Sequence, residues 1–188
     1  RLKSMNIRTV YDKKIIINIG SKVKDEQIYQ GHLWAYDRIK EIGATHALTL
    51  AFSAPFTDIS RDEKDREQCK KILKYGMNNI SKKIYGSHNK GFIQRFITIE
   101  RGAYNKSFSL HAHAAITNDT ELSDEQFGEC VFNGWTKTKG AHESTSMFSI
   151  NKLYDIAGWS TYINKTMGDR YDFDAANYTR NTKELAKT

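Results

Sequence analysis

Proline is almost absent from this chain: one residue, Pro55, in 188, which excludes a Pro-rich linker or tail. Cysteine is nearly as scarce. Cys69 and Cys130 lie far apart with no paired-ligand spacing, so they read as buried thiols in a reducing compartment rather than a disulfide frame. No apolar run approaches the ~18 residues a bilayer span needs, and the opening Arg1-Leu2-Lys3-Ser4 carries no signal-peptide core. With a mean hydropathy of −0.65, the expectation is a water-soluble protein, neither membrane-spanning nor secreted by the usual route. A first residue of Arg rather than Met leads us to expect a chain trimmed or excised from something longer.

Turning to what is present, Lys and Arg number 29 against 22 acids, a net charge of +7, with a pI near 9.3. That balance favours a polyanionic partner, of which nucleic acid is the commonest. At roughly 150 residues per domain, the length predicts one domain with a core large enough to need no disulfide or metal for folding.

Along the chain, Lys13 to Gly20 (KKIIINIG) predicts a short strand closed by glycine. Ile28, His32, Ala35, Ile39 and Ile42 recur at helical spacing, with Gly43 as the stop. Thr45 to Phe52 alternates Leu48, Leu50 and Phe52 on one face with Ala47, Thr49 and Ala51 on the other, a strand. A helix over about Asp62 to Ile84 carries Cys69, Leu73, Met77, Ile80 and Ile84 on one stripe. Strands at Phe92 to Glu100 and Ser109 to Ile116 form a hairpin through a polar connection with Gly102. Ser123-Asp-Glu-Gln126 is a capping box opening a helix to about Thr138. Ser144 to Ile150 reads as one more strand, and Leu153 to Met167 as a final helix ended by Gly168. The polar tail from Asp169 has no assignable element. The result is a single domain over 1–188: a βαββαβ core at about 45–168, an N-terminal extension 1–44 and a tail 169–188. The expected class is α+β, a mainly antiparallel sheet with helices on one face and the other face open for function.

His111-Ala112-His113 is the sharpest chemical feature. On a strand, residues i and i+2 share a face, so both imidazoles project together within reach of one ion while Leu110, Ala112 and Ala114 turn to the core. A site needs a third ligand. Glu100 ends the preceding hairpin strand on the face of Thr98, opposite Ile97 and Ile99, and can fall beside the histidines; His46 and His142 are its rivals. Nitrogen-rich ligation also suits zinc, so the donor set alone leaves the metal open.

Further on, Tyr162-Ile163-Asn164-Lys165 lies in the last helix, where i and i+3 are neighbours and the ammonium can approach the phenol. A phenol of pKa near 10 is only about one part in a thousand ionised at pH 7, a handicap of roughly 4 kcal/mol for nucleophilic attack that a nearby cation can partly recover. A second such spacing, Tyr11 to Lys14, precedes a strand and reads as surface.

Taken together, the strand histidines, the carboxylate about ten residues before them and the helical tyrosine some fifty residues after resemble the HUH endonuclease superfamily, and within it the single-tyrosine rolling-circle replication initiators. Ala47 to Phe52 resembles that family's first motif, with Thr49 on the functional face; His111-Ala-His113 resembles the metal motif and Tyr162-Ile-Asn-Lys165 the nucleophile motif. Gly158 and Thr166 occupy the positions four residues either side of Tyr162, unlike two-tyrosine members, and Tyr154 is eight residues back. The resemblance implies that His111, His113 and Glu100 hold Mg²⁺ or Mn²⁺, that Tyr162 attacks a phosphodiester to give a 5′-phosphotyrosine, and that Lys165 balances charge. It implies single-stranded or hairpin origin DNA as substrate, with Thr49, Lys70, Lys71, Lys74, Lys82 and Lys83 as DNA contacts, and a helicase domain or host helicase as partner. The expected location is then the cytoplasm of a prokaryotic host, or the nucleus for a eukaryotic virus. The other readings are a related transposase, a non-enzymatic single-strand nucleic-acid binder and a metal-dependent hydrolase of small substrates.

Overall fold

A computed structural model describes residues 22–53, 56, 59–87, 91–101, 109–163 and 177–178. The elements run α1 (Lys22–Glu41), β1 (His46–Ala51), α2 (Asp62–Tyr85), β2 (Arg95–Arg101), β3 (Leu110–Ile116), α3 (Asp124–Thr136), β4 (Phe148–Lys152), α4 (Ile156–Ile163) and β5 (Asn177–Tyr178). From β1 to β4 this is the expected βαββαβ order, with a helix before and after it. The strands form one antiparallel sheet in the order β4-β1-β3-β2-β5. The fold is α+β with an open, mainly antiparallel sheet, as the periodicities indicate. No helix among the described residues is long and apolar enough to cross a membrane.

The period-two alternation of β1, β2 and β3 decides the two faces. Leu48, Leu50, Ile97, Ile99, Leu110, Ala112, Ala114 and Ile116 form one buried layer, and α2 and α3 close over it with Cys69, Leu73, Met77, Ile80, Phe127, Val131 and Trp135. The two helices meet at glycines. A Cβ on Gly134 would stand 2.6 Å from the Ile80 backbone, and one on Gly76 would stand 2.6 Å from the Trp135 ring. Trp135 is fully buried in the space so made. The capping box opens α3: Ser123 Oγ accepts from Gln126 N, and Gln126 Oε1 accepts from Ser123 N.

The second face, expected to be free of helices, is covered at one end: α1 and α4 form a smaller cluster there, in which Ala35, Ile39 and Ile163 pack with Phe96 and Ala115. Trp34 meets the Phe96 ring edge-on at 5.4 Å. Phe96 pairs with Ala115, Thr98 with His113, and Glu100 with His111. The covered end of this face is therefore apolar, and its other end carries the ionisable groups.

Three boundaries differ from expectation. β2 begins at Arg95 rather than Phe92. Residues Thr145–Met147 form a 3₁₀ turn before β4 rather than its first half, because Ser144 Oγ accepts from Ser146 N and diverts the backbone from the ladder. α4 starts at Ile156 rather than Leu153; Asp155 Oδ1 accepts from Gly158 N and caps it. The tail returns as β5, whose Tyr178 and Asn177 pair with Phe96 and Ile97 on the outer edge of β2. The expected strand at Lys13 to Gly20, the hairpin connection at Gly102 and the helix beyond Ile163 lie outside the described residues.

Gly134→Ala is expected to cost about 1–3 kcal/mol, since its methyl must push two helix backbones apart. Gly128→Ala, whose Cβ would make an ordinary 3.5 Å contact with Ile150, should be neutral or stabilising. Denaturant unfolding of the two variants checks the contrast.

His46 faces the core from β1, 4.9 Å from the Phe127 ring centroid, with Nε2 3.3 Å from Asp124 Oδ1. Burial pushes its pKa below the usual value, outweighing the pull of Asp124. Its neutral form is favoured on folding, so stability is full above the unfolded value of about 6.5 and is lost as pH falls below it through the lower folded value. The unfolding midpoint of the wild type should therefore drop between pH 7.5 and 5.5 by more than that of His46→Gln; equal slopes would assign the dependence elsewhere.

Candidate metal centre

Three strands build the cluster. Glu100 is directly opposite His111, and His113 lies between Thr98 on one neighbour and Thr49 on the other. All of these side chains stand on the face away from α2 and α3, as alternation requires. Glu100 Oε2 is 3.0 Å from His113 Nε2 and 3.6 Å from His111 Nε2. The two imidazole Nε2 atoms are 3.1 Å apart, with their rings nearly perpendicular. Glu100 and His113 are buried to 3% and 2% side-chain exposure, while His111 retains 24% and borders solvent.

The donor set fits a divalent cation. Ligand atoms about 2.1 Å from one ion and at right angles to each other stand about 3.0 Å apart, and tetrahedral ones about 3.4 Å. The observed separations of 3.0, 3.1 and 3.6 Å bracket both. Among the described residues these three form a group able to hold a metal ion, with the ligand atoms all within 4.8 Å of one another. Three protein donors leave further positions for water or substrate. The rivals are occupied elsewhere: His46 lies against Phe127 on the other face, and His142 Nδ1 accepts from Ser144 N.

The β2 end bearing Glu100 is pinned to α2. Asp62 accepts from Arg66 Nε at 2.8 Å and from Arg101 Nε at 2.8 Å, and Arg66 donates to the Ile99 carbonyl at 2.8 Å. Burial works against the Asp62 charge, but hydrogen bonds from the two guanidinium groups outweigh it and hold the carboxyl below its ordinary range. Arg101 also donates to the carbonyl of Phe56, a residue in the left-handed region at φ 43°.

Tyr162 comes to the cluster from α4. Its ring centroid is 5.1 Å from that of His113, and it stacks on Trp159 at 5.2 Å and 20°. Trp159 in turn meets His113 edge-on at 5.8 Å. Tyr162 keeps 43% of its surface exposed, whereas Tyr154, before the helix, is 87% exposed. Ser160 and Ile163 are buried and seat the helix on the sheet. Lys165 and Tyr11 lie outside the described residues.

The remaining expected DNA contacts divide. Thr49 is within the cluster, its Oγ1 3.0 Å from His113 Nδ1. Lys70, Lys71, Lys74, Lys82 and Lys83 are on α2, whose apolar stripe packs on the opposite face of the sheet, so the structure does not bring them together with Glu100, His111 and His113. Lys70 pairs with Glu67 at 2.8 Å. Sequence reasoning missed Trp159, Asp62 and Arg101. Trp159 carries a local signal, a bulky aromatic three residues before Tyr162 on one helix face; the other two have none. Comparison with protein-family models, with curated proteins and with solved structures gave no match to this chain.

Mn²⁺ at a hundred times its dissociation constant should stabilise the protein by about 2.7 kcal/mol, and a chelator should reverse this. The gain should vanish in Glu100→Ala and persist in His142→Ala. Thermal unfolding with and without the ion checks both.

Proposed function

We propose that the protein is a metal-dependent, site-specific single-strand DNA endonuclease and strand transferase, a single-tyrosine replication initiator of the HUH type that nicks an origin to start rolling-circle replication. The observation that carries the reading is the exposed Tyr162 ring 5.1 Å from the ring of His113, at the edge of a Glu-His-His cluster. A tyrosine held beside a metal-binding group suits attack on a phosphodiester, because the two can act on the same phosphate.

In this reading Glu100, His111 and His113 hold Mg²⁺ or Mn²⁺, which when bound would polarise the scissile phosphodiester. Tyr162 supplies the nucleophile. Its phenolate oxygen forms a bond to phosphorus as the bond to the 3′-oxygen breaks, leaving a 5′-phosphotyrosine and a 3′-hydroxyl after that oxygen takes up a proton. One phosphodiester replaces another, so the step needs no ATP and can run backwards to rejoin the strand. Trp159 holds the Tyr162 ring by stacking. Lys165, three residues on, balances charge on the phenolate or phosphate. The substrate is single-stranded or hairpin DNA, drawn by the net charge of +7, and a helicase, as a further domain or a host protein, would unwind the template.

Incubation with labelled single-stranded origin DNA and Mn²⁺, followed by a denaturing gel, tests the proposal. The wild type should give a covalent adduct mapped by mass spectrometry to Tyr162. Tyr162→Phe should bind the DNA and form no adduct; His111→Ala and His113→Ala should remain folded and not cleave. Lys165→Ala should slow the reaction. Full cleavage by Tyr162→Phe, or an adduct on Tyr154 or Tyr11, would overturn the assignment. Cleavage at transposon ends but not at an origin would make the enzyme a transposase instead.

A further inference from the structure

Thr49 has a place in the structure that its position in β1 does not announce. Its hydroxyl is 3.0 Å from His113 Nδ1, across the β1–β3 pairing that sets Thr49 opposite His113. The other nitrogen of the same ring, Nε2, is 3.0 Å from Glu100 Oε2 and 3.1 Å from His111 Nε2. His113 is thus gripped at both ends, and its ring is walled by Trp159 and Tyr162. At 2% side-chain exposure it has little access to water as a substitute partner, so the tautomer of the ring is decided by these neighbours.

A neutral imidazole carries one proton. To ligate a cation through Nε2, the ring must carry that proton on Nδ1, and Nδ1–H then needs an acceptor. Facing a bare carboxylate, the reverse holds: Nε2–H donates to Glu100 and Nδ1 needs a donor. A hydroxyl meets both demands, because it donates and accepts and its hydrogen rotates freely. Valine, of nearly the same shape, meets neither.

We propose that Thr49 is a positioning residue of the metal centre, whose hydroxyl supports His113 in the Nδ1–H form and so presents Nε2 to the cation. The exchange between tautomers moves one proton from Nε2 to Nδ1, with no net release from the ring. The inference rests on the cluster as a metal site and is independent of the reaction assigned to Tyr162. It also moves Thr49 from the DNA to the ion.

Calorimetric titration with Zn²⁺, a diamagnetic probe for histidine-containing sites, tests it on the wild type, Thr49→Val and Thr49→Ser. Thr49→Val should bind about 10–100-fold more weakly, the range typical for loss of a partner behind a metal-bound histidine. Thr49→Ser, which keeps the hydroxyl, should stay within about threefold of the wild type. A second readout is the ¹⁵N spectrum of the imidazoles: in the Zn²⁺-loaded wild type the His113 proton should sit on Nδ1. Equal affinities in all three proteins, equal losses in the serine and valine variants, or a proton on Nε2 of His113 in the loaded wild type would each overturn the proposal. If the wild type binds no Zn²⁺ and gains no stability from Mn²⁺, the metal centre itself is refuted, an outcome distinct from failure of Thr49 alone.

Discussion

The register of β2 on β3 is the constraint on which the site depends. Glu100 opposite His111 and Thr98 opposite His113 place a carboxylate and two imidazoles on one face. A slip by one residue would send Glu100 into the layer now filled by Ile97 and Ile99, and it would turn Ile99 onto the histidines. Such a slip is resisted from both sides. The core face carries Leu48, Leu50, Ile97, Ile99, Leu110, Ala112, Ala114 and Ile116 at alternate positions and is sealed by α2 and α3. At the other side of β3, β1 repeats the specification by setting Thr49 against His113. The site is therefore held by the packing of the opposite face rather than by its own polar contacts.

The two faces of the sheet divide the work. One is a hydrophobic layer in which Trp135 fills the space opened by Gly76 and the backbones of α2 and α3 approach at Gly134. The other is apolar only at the end where Ala35, Ile39 and Ile163 meet Phe96 and Ala115. Beyond that, Thr98, His113 and Glu100 are buried on a face that also carries the half-exposed Tyr162. A buried carboxylate is costly unless compensated, and here two imidazole nitrogens stand within 3.6 Å of it. A divalent cation at the same point would compensate it far more strongly, which is why this cluster reads as a metal centre and His46, with its single exposed acid, does not.

The end of β2 beyond Glu100 is anchored across the sheet edge. Arg66 on α2 holds the Ile99 carbonyl, and Asp62 holds both Arg66 and Arg101. Charged pairs in this position tie the first turn of α2, where Asp62, Glu63 and Asp65 also complement the helix dipole, to the strand that carries the carboxylate. The same helix, which bears Lys70, Lys71, Lys74, Lys82 and Lys83, packs on the sheet face opposite the cluster.

Local sequence determined the elements and the faces. Alternation in Leu48–Leu50 and in Leu110–Ile116, the helical stripe of α2 and the Ser123–Gln126 capping box each act over a few residues, so each is legible without tertiary information. His111 and His113 share a face for the same local reason. Glu100 was legible only as one of three alternatives, because its choice over His46 and His142 depends on hairpin register. Thr145–Met147 and the start of α4 departed from expectation where serine and aspartate side chains compete with the backbone for hydrogen bonds. Tertiary structure alone decided the rest. The partnership of Thr49 with His113 spans 64 residues of sequence, Trp159 joins the site only once α4 lies on the sheet, and β5 is stable only against the edge of β2. Contacts of that range arise from packing whole elements together; the spacing of Trp159 and Tyr162 sets them on one helix face, but no pattern within an element names the strand residue they meet.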